Sequence, residues 1–331
     1  MKRFINQPND VVDEMLEGFL LTHGSMVRRL EGARAVVRAS REPGRVAVVT
    51  GGGSGHEPAF LGYVGEGMLD AVVIGDIFTS PPATAVLATI DAIDSGEGVL
   101  LLLGNYSGDL MNFGMAAEWA RQKGHLVEMA VATDDVGTGL GTSQSERRGV
   151  VGEFLVWKIC GAVVAEGASL DDAKALADEV NARTRSLGVA LRPCTVPMLG
   201  RPTFDLADDE LEWGVGHHGE RGAKTIKLKP VDDVVDGLTE EILADLPLEP
   251  GDELATVVNG LGATPLCELF IAQRRLMRNL ERLGLHVRRS FVGNVFTALD
   301  MAGLSVTLLH LNEELQARLE APALTPFFIQ G

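Results

Sequence analysis

The chain has 331 residues, 46% hydrophobic and 23% charged, which allows two domains of ordinary size and a core that needs no disulfides. With 46 acidic against 29 basic residues the formal net charge is −17, and no Lys/Arg run forms a basic patch, which argues against nucleic-acid binding. Polar residues follow the opening MKRF at once, and the longest apolar runs, such as VLLLL at 99–103, are far too short to span a bilayer, so the expectation is a cytoplasmic protein with no membrane partner.

The first predicted element is a helix after Pro8-Asn9-Asp10. Val12, Met15, Leu16, Phe19 and Leu20 repeat at helical spacing, and Gly24 follows as a C-cap. RVAVVT at 45–50 reads as a buried strand, as do AVVIG at 71–75, VLLLL at 99–103 and VEMAVA at 127–132. Helical stretches near 83–94 and 111–123 fall between them. Strand, glycine-rich loop and helix in repeating order predict a parallel or mostly parallel sheet covered by helices. Two long helices are expected over 149–166 and 169–187, followed by a loop-rich stretch, RPCTVPMLGRPTF, at 192–204. The domain boundary is placed before that stretch, giving domains 1–187 and 188–331. The second half is expected to repeat the α/β rhythm, with strands near 255–259 and 305–311 and a helix near 264–284.

Three loops carry side chains suited to chemistry. In open α/β sheets, ligands sit beyond the carboxyl ends of strands, where loops lead into helices. Gly51-Gly52-Gly53-Ser54-Gly55-His56-Glu57-Pro58 follows a strand, and its glycines let backbone N–H groups approach a ligand. A dinucleotide fingerprint would need glycine where His56 stands, and no Gly-Lys-Ser/Thr follows for a P-loop. The segment is then either a tight turn or a binding loop, and the titratable His56 favours the second. Gly104-Asn105-Tyr106-Ser107-Gly108-Asp109 precedes a helix, so Asp109 is either an N-cap or a general base. Gly214-Val215-Gly216-His217-His218-Gly219-Glu220 holds adjacent histidines with no metal-ligand spacing. They are solvated loop residues, or one is a neutral imidazole accessible enough to attack a carbonyl. His23, His125, His286 and His310 read as structural, and Trp119, Trp157 and Trp213 as core. Cys160, Cys194 and Cys267 are far apart and read as reduced, mostly buried thiols.

GGGSGHEP (51–58), IFTSPP (77–82), GNYSGD (104–109), ERRGV (146–150), CTVP (194–197), GVGHHGE (214–220) and LGATPLCEL (261–269) occur in the order expected of one family. The chain resembles the dihydroxyacetone-binding subunit, or domain, of dihydroxyacetone kinases, from the first helix to about residue 320. The resemblance implies two α/β domains with the active site between them, usually as a homodimer. It implies that His218 adds to the ketone carbon as a hemiaminal, that His56 is an acid/base partner, and that Asp109 accepts the proton of the attacking hydroxyl. Gly53, Ser54 and Gly55 would offer backbone contacts to the substrate. Such a chain binds no cofactor or metal itself; ATP, or ADP recharged by a phosphotransferase system, is carried with Mg²⁺ on an L-type partner subunit.

Two features depart from the family pattern. The chain ends without the nucleotide-carrying domain of single-chain relatives, which implies a separate partner chain. Gly104 stands where dihydroxyacetone-specific subunits are expected to carry lysine, and resembles relatives that act on larger ketoses such as erythrulose or apulose. The substrate is therefore held as a short ketose: dihydroxyacetone, a tetrulose or a pentulose. The competing reading is a non-catalytic, ketose-sensing paralogue that acts as co-regulator of a transcription factor. Such a sensor could dispense with the base.

Overall fold

A computed structural model describes residues 2–138 and 142–331. The chain forms two compact units, the first comprising Met1–Ala132, Leu155–Glu179 and Ala317–Gly331, the second Thr133–Phe154 and Val180–Gln316.

The first unit opens with helix α1 (Val11–His23), closed by Gly24 as the pattern predicts. Strands β1 (Val27–Arg29), β2 (Ala35–Arg38), β3 (Ala47–Ser54) and β4 (Ala71–Ile77) follow, then α2 (Ala83–Ile93), β5 (Val99–Gly104), α3 (Ser107–Gln122) and β6 (Val127–Ala132). They make one six-stranded sheet in the order β1-β2-β4-β3-β5-β6. The central ladders β4–β3–β5–β6 are parallel, as expected of buried β-branched runs between helices. β1 and β2, which the apolar pattern missed, extend the sheet antiparallel. On one face Val49, Val73, Leu101 and Leu103 of the sheet pack with Val86 and Ile90 of α2 and Phe113 and Ala117 of α3. Helices α4 (Gly152–Ala165) and α5 (Leu170–Ala182) follow. The fully buried Trp157 of α4 lies 5.5 Å from the Phe60 ring and 5.7 Å from Tyr63. Truncating a ring in such a position costs about 3–5 kcal/mol.

The second unit is built on β7 (Thr184–Arg192), β8 (Glu210–Trp213), β9 (Lys224–Lys227), α6 (Val231–Asp245), β10 (Glu253–Gly260), α7 (Leu266–Arg282), β11 (His286–Gly293) and β12 (Ala302–His310). Its sheet order is β11-β10-β12-β7-β8-β9. Among the described residues only β10 and β11 of this sheet pair in parallel; the other ladders are antiparallel, so the second half does not repeat the parallel rhythm of the first. Val235, Leu238 and Ile242 of α6 and Ala272, Leu276 and Leu280 of α7 cover Leu187, Val258, Val306 and Leu308 of the sheet. Helix α8 (Glu313–Glu320) and a short ribbon of β13 (Ala323–Leu324) and β14 (Ile329–Gln330) complete the chain. Cys160 and Cys194 are buried thiols, and Cys267 is exposed. No helix among the described residues is long and apolar enough to cross a membrane.

Two expectations need correction. The helix expected to reach residue 187 stops at Ala182, because Thr184–Leu187 pair with β12 across the middle of a sheet. For the same reason a boundary at 187/188 would cut β7, whose halves share one hydrogen-bonded ladder. The compact units are instead discontinuous in sequence, and three of the four crossings, after Phe154, Glu179 and Gln316, fall inside α4, α5 and α8.

Candidate functional site

In the first unit the glycine run proves to be strand rather than loop. β3 continues through Gly51, Gly52 and Gly53 to Ser54, and all four are buried. A Cβ at Gly51 would lie 2.3 Å from the Val73 carbonyl oxygen, and one at Gly53 would lie 2.4 Å from the Thr79 nitrogen. Side chains are thus excluded here by neighbouring backbone. Ser54 spends its hydroxyl on structure, donating to the Gly75 carbonyl at 2.9 Å. The chain turns at Gly55, with φ +100°, and delivers His56 into a buried position. The imidazole stacks on Phe78 at 5.1 Å and meets the edge of Phe60 at 6.0 Å. Phe78 itself holds φ +55°, a left-handed conformation costly for a side chain with Cβ. Beside it, Glu57 accepts the Gly55 N–H at 3.0 Å; burial raises its carboxyl, and that hydrogen bond works against the rise.

Asp109 is not the N-cap of α3. That place belongs to Tyr106, and Asp109 is the third residue of the helix. It is 8% exposed, and its Oδ1 finds no hydrogen-bond partner among the described residues. Burial lifts the carboxyl to about 6, with the Ser80 hydroxyl acting in the opposite direction. The 77–82 segment thus serves both residues, bringing Phe78 to His56 and Ser80 to Asp109. Gly104 ends β5, buried and paired with Ala132.

In the second unit the turn after β8 separates the two histidines. His217 is buried, with its ring 4.3 Å from Phe296. His218 stays partly exposed, and its backbone N–H donates to Glu220 Oε2 at 2.8 Å. The other Glu220 oxygen accepts from Arg148 Nη1 at 3.0 Å, while Arg148 also reaches the Gly214 carbonyl at 2.8 Å and the buried Asp135 carboxylate. Burial, reinforced by the Arg148 charge, lowers the His218 imidazole to about 4. Burial likewise lifts Asp135 to about 6 against the pull of Arg148. Gly214 and Gly219 sit at φ +82° and +75°, which only glycine adopts without strain.

Gly216 fixes this arrangement. A Cβ there would fall 1.9 Å from Glu220 Oε1 and 2.8 Å from Arg148 Nη1. Gly216→Ala should therefore displace the Glu220 carboxylate from the His218 N–H and cost about 1–3 kcal/mol. Thermal denaturation checks this; an unchanged melting temperature would show that the Glu220 contacts are not what holds the turn.

Arg148, Glu220 and Phe78 were not assigned roles from sequence. Arg148 and Phe78 lie in ERRGV and IFTSPP, whose order was legible but whose contacts were not. Of the histidines read as structural, His125 has well-defined partners. It bonds Asp94 at 2.7 Å and Asp91 at 2.9 Å, and these partners raise its pKa, the Asp94 hydrogen bond most.

Comparison with known proteins bears on both units. The family model described as the Dak1 domain matches residues 17–327. The dihydroxyacetone-binding subunit DhaK of a PTS-dependent dihydroxyacetone kinase from Listeria innocua is 46% identical over 95% of both chains. The D-erythrulose kinase of Mycolicibacterium smegmatis is 40% identical over the whole of this chain, which spans 57% of that enzyme. Among solved structures, the dihydroxyacetone kinase operon co-activator Dha-DhaQ superposes with a TM-score of 0.92 at 34% identity, covering 98% of this chain and 99% of that one. The dihydroxyacetone kinase of C. freundii, solved with AMP-PNP and Mg²⁺, superposes with a TM-score of 0.89 at 36% identity over 99% of this chain and 61% of that one.

Proposed function

This chain belongs to the Dak1 domain family, and from that premise we propose that it is the ketose-binding catalytic subunit of a dihydroxyacetone-type kinase. The observation that carries the reading is His218, an imidazole kept neutral at physiological pH in a turn of glycines. A ketose of three to five carbons offers little surface for noncovalent affinity. Covalent addition removes that weakness. The His218 nitrogen forms a bond to the ketone carbon, the C=O π pair moves to oxygen, and the imidazole's proton ends on that oxygen, giving a neutral hemiaminal. His56 is assigned to hydrogen-bond the ketose as acid/base partner, and the backbone of Gly53, Ser54 and Gly55 to contact it. Asp109 takes the proton of the terminal hydroxyl as that oxygen attacks phosphorus. The phosphoryl group comes from a Mg²⁺-bound nucleotide on an L-type partner, either ATP or a recharged ADP. Support for a partner is that the Listeria relative is named as a subunit, whereas the erythrulose kinase extends well beyond the region matched here.

The likeness to the co-activator favours a second reading, ketose sensing in gene regulation. A sensor needs His218 but no base. Asp109, buried with its carboxyl raised to about 6, supports the kinase.

The experiment is intact-protein mass spectrometry after incubation with dihydroxyacetone, erythrulose and apulose in parallel. The expected result is a gain of one whole ketose without loss of water, since addition forms the C–N bond and expels nothing. No gain in solution, together with no adduct in soaked crystals, would overturn the reading. Gly104 bears on which ketose is preferred. Gly104→Lys should shift preference towards dihydroxyacetone, because the long cationic side chain fills space and supplies a donor. Competition between dihydroxyacetone and erythrulose for adduct formation reads this directly, and an unaltered ratio removes Gly104 as a determinant.

A further inference from the structure

A cationic cluster lies in the first unit, apart from every residue assigned above. Asp70 is 2% exposed and receives three guanidinium groups on the same oxygen, Arg45 at 2.8 Å, Arg38 at 3.2 Å and Arg41 at 3.3 Å. Its second oxygen is already occupied by the Val48 N–H at 3.0 Å. Arg41 stands behind the others and spends its remaining nitrogens on the Ile93 and Arg45 carbonyls. The side chains of Arg38 and Arg45 bond nothing but Asp70 among the described residues. Two positive charges are thus in excess, on side chains only 13–18% exposed, in a chain whose net charge is −17. Burial lowers the Arg41 pKa, and repulsion from Arg45 and Arg38 adds to this against the attraction of Asp70. Like charges crowded in this way favour an anion that compensates them.

Arg38 and Arg45 face a hollow of about 450 Å³, lined also by Ser25 and Ser40, whose hydroxyls can donate, and by Glu42 and Glu66. Both glutamates are exposed and, among the described residues, neither pairs with an arginine, so water screens their charges more than those of the mostly buried guanidinium groups. We propose that this hollow binds a compact phosphate dianion, as inorganic phosphate or as a small phosphate monoester. Planar guanidinium forks suit tetrahedral phosphate oxygens, and the two serine hydroxyls add neutral donors. A hollow of this size accommodates a small metabolite.

Isothermal titration calorimetry of the full chain with inorganic phosphate and with methyl phosphate, at ionic strength held constant with chloride, tests this. Saturable binding is expected, weakened tenfold or more in Arg45→Gln and lost in Arg38→Gln/Arg45→Gln. These substitutions relieve repulsion, so the phosphate-free melting temperature should not fall. If the double variant does not fold, Arg45→Gln alone decides. Tighter binding of methyl phosphate would identify the ester as the ligand, and equal or tighter binding of phosphate the inorganic ion. Absence of saturable binding to the unmodified chain, or an unchanged Kd in Arg45→Gln, overturns the proposal. Neither outcome depends on ketose chemistry at His218.

Discussion

His218→Ala is expected to abolish the ketose adduct and to lower turnover by on the order of a hundredfold or more, the cost of losing a positioned reactant. The fold should survive, because the turn is held by the Glu220–Arg148 contacts and by the His218 backbone N–H, which alanine retains. His217→Ala is the informative control. That ring packs on Phe296, so its loss should cost stability while the adduct persists at saturating ketose. An adduct of unchanged yield in His218→Ala would move the nucleophile elsewhere. The pH dependence gives a second check. Burial lowers the imidazole to about 4, so neutral His218, the only form with a free nitrogen lone pair, predominates above that value. Adduct formation should therefore persist through pH 5 and fail only near pH 4, well below the range of an ordinary histidine.

Asp109→Asn should leave the adduct intact and reduce phosphorylation by about 10²- to 10⁴-fold, the usual contribution of a general base. Amide and carboxylate are nearly isosteric, and Asp109 makes no capping bond that the change would break. Its carboxyl is raised to about 6 by burial, so the basic form is lost as pH falls through that value. Between about pH 4 and pH 6 the unmodified protein should hold its ketose yet turn over progressively more slowly. Single-turnover assays with the nucleotide-loaded partner, run beside mass spectrometry of the same samples, separate the two events. Turnover that follows the adduct down to pH 4, or normal rates in Asp109→Asn, would remove Asp109 from the chemistry. The co-regulator reading predicts a different pattern, an adduct at all these pH values and no phosphorylation at any.

What the sequence determined by itself is local. The parallel strands of the first unit, helices α1 to α5 and the three chemically suggestive segments follow from apolar periodicity and glycine placement, because a buried β-branched run or a helical stripe has few other places to go. Motif order carried the family as well. The tertiary structure decided what depends on partners remote in sequence. Gly51–Ser54 read as a loop, yet neighbouring backbone at Val73 and Thr79 makes them strand. Thr184–Leu187 read as the end of a helix, yet β12, more than a hundred residues away, takes their hydrogen bonds. The division into units left no linker to read, since three of its crossings run through helices that continue without a break in pattern. Protonation states were beyond the sequence for the same reason. Asp109 read as an N-cap or a base; a helix that starts at Ser107 makes it the third helical residue, and burial, a property of everything packed around it, raises its carboxyl to about 6.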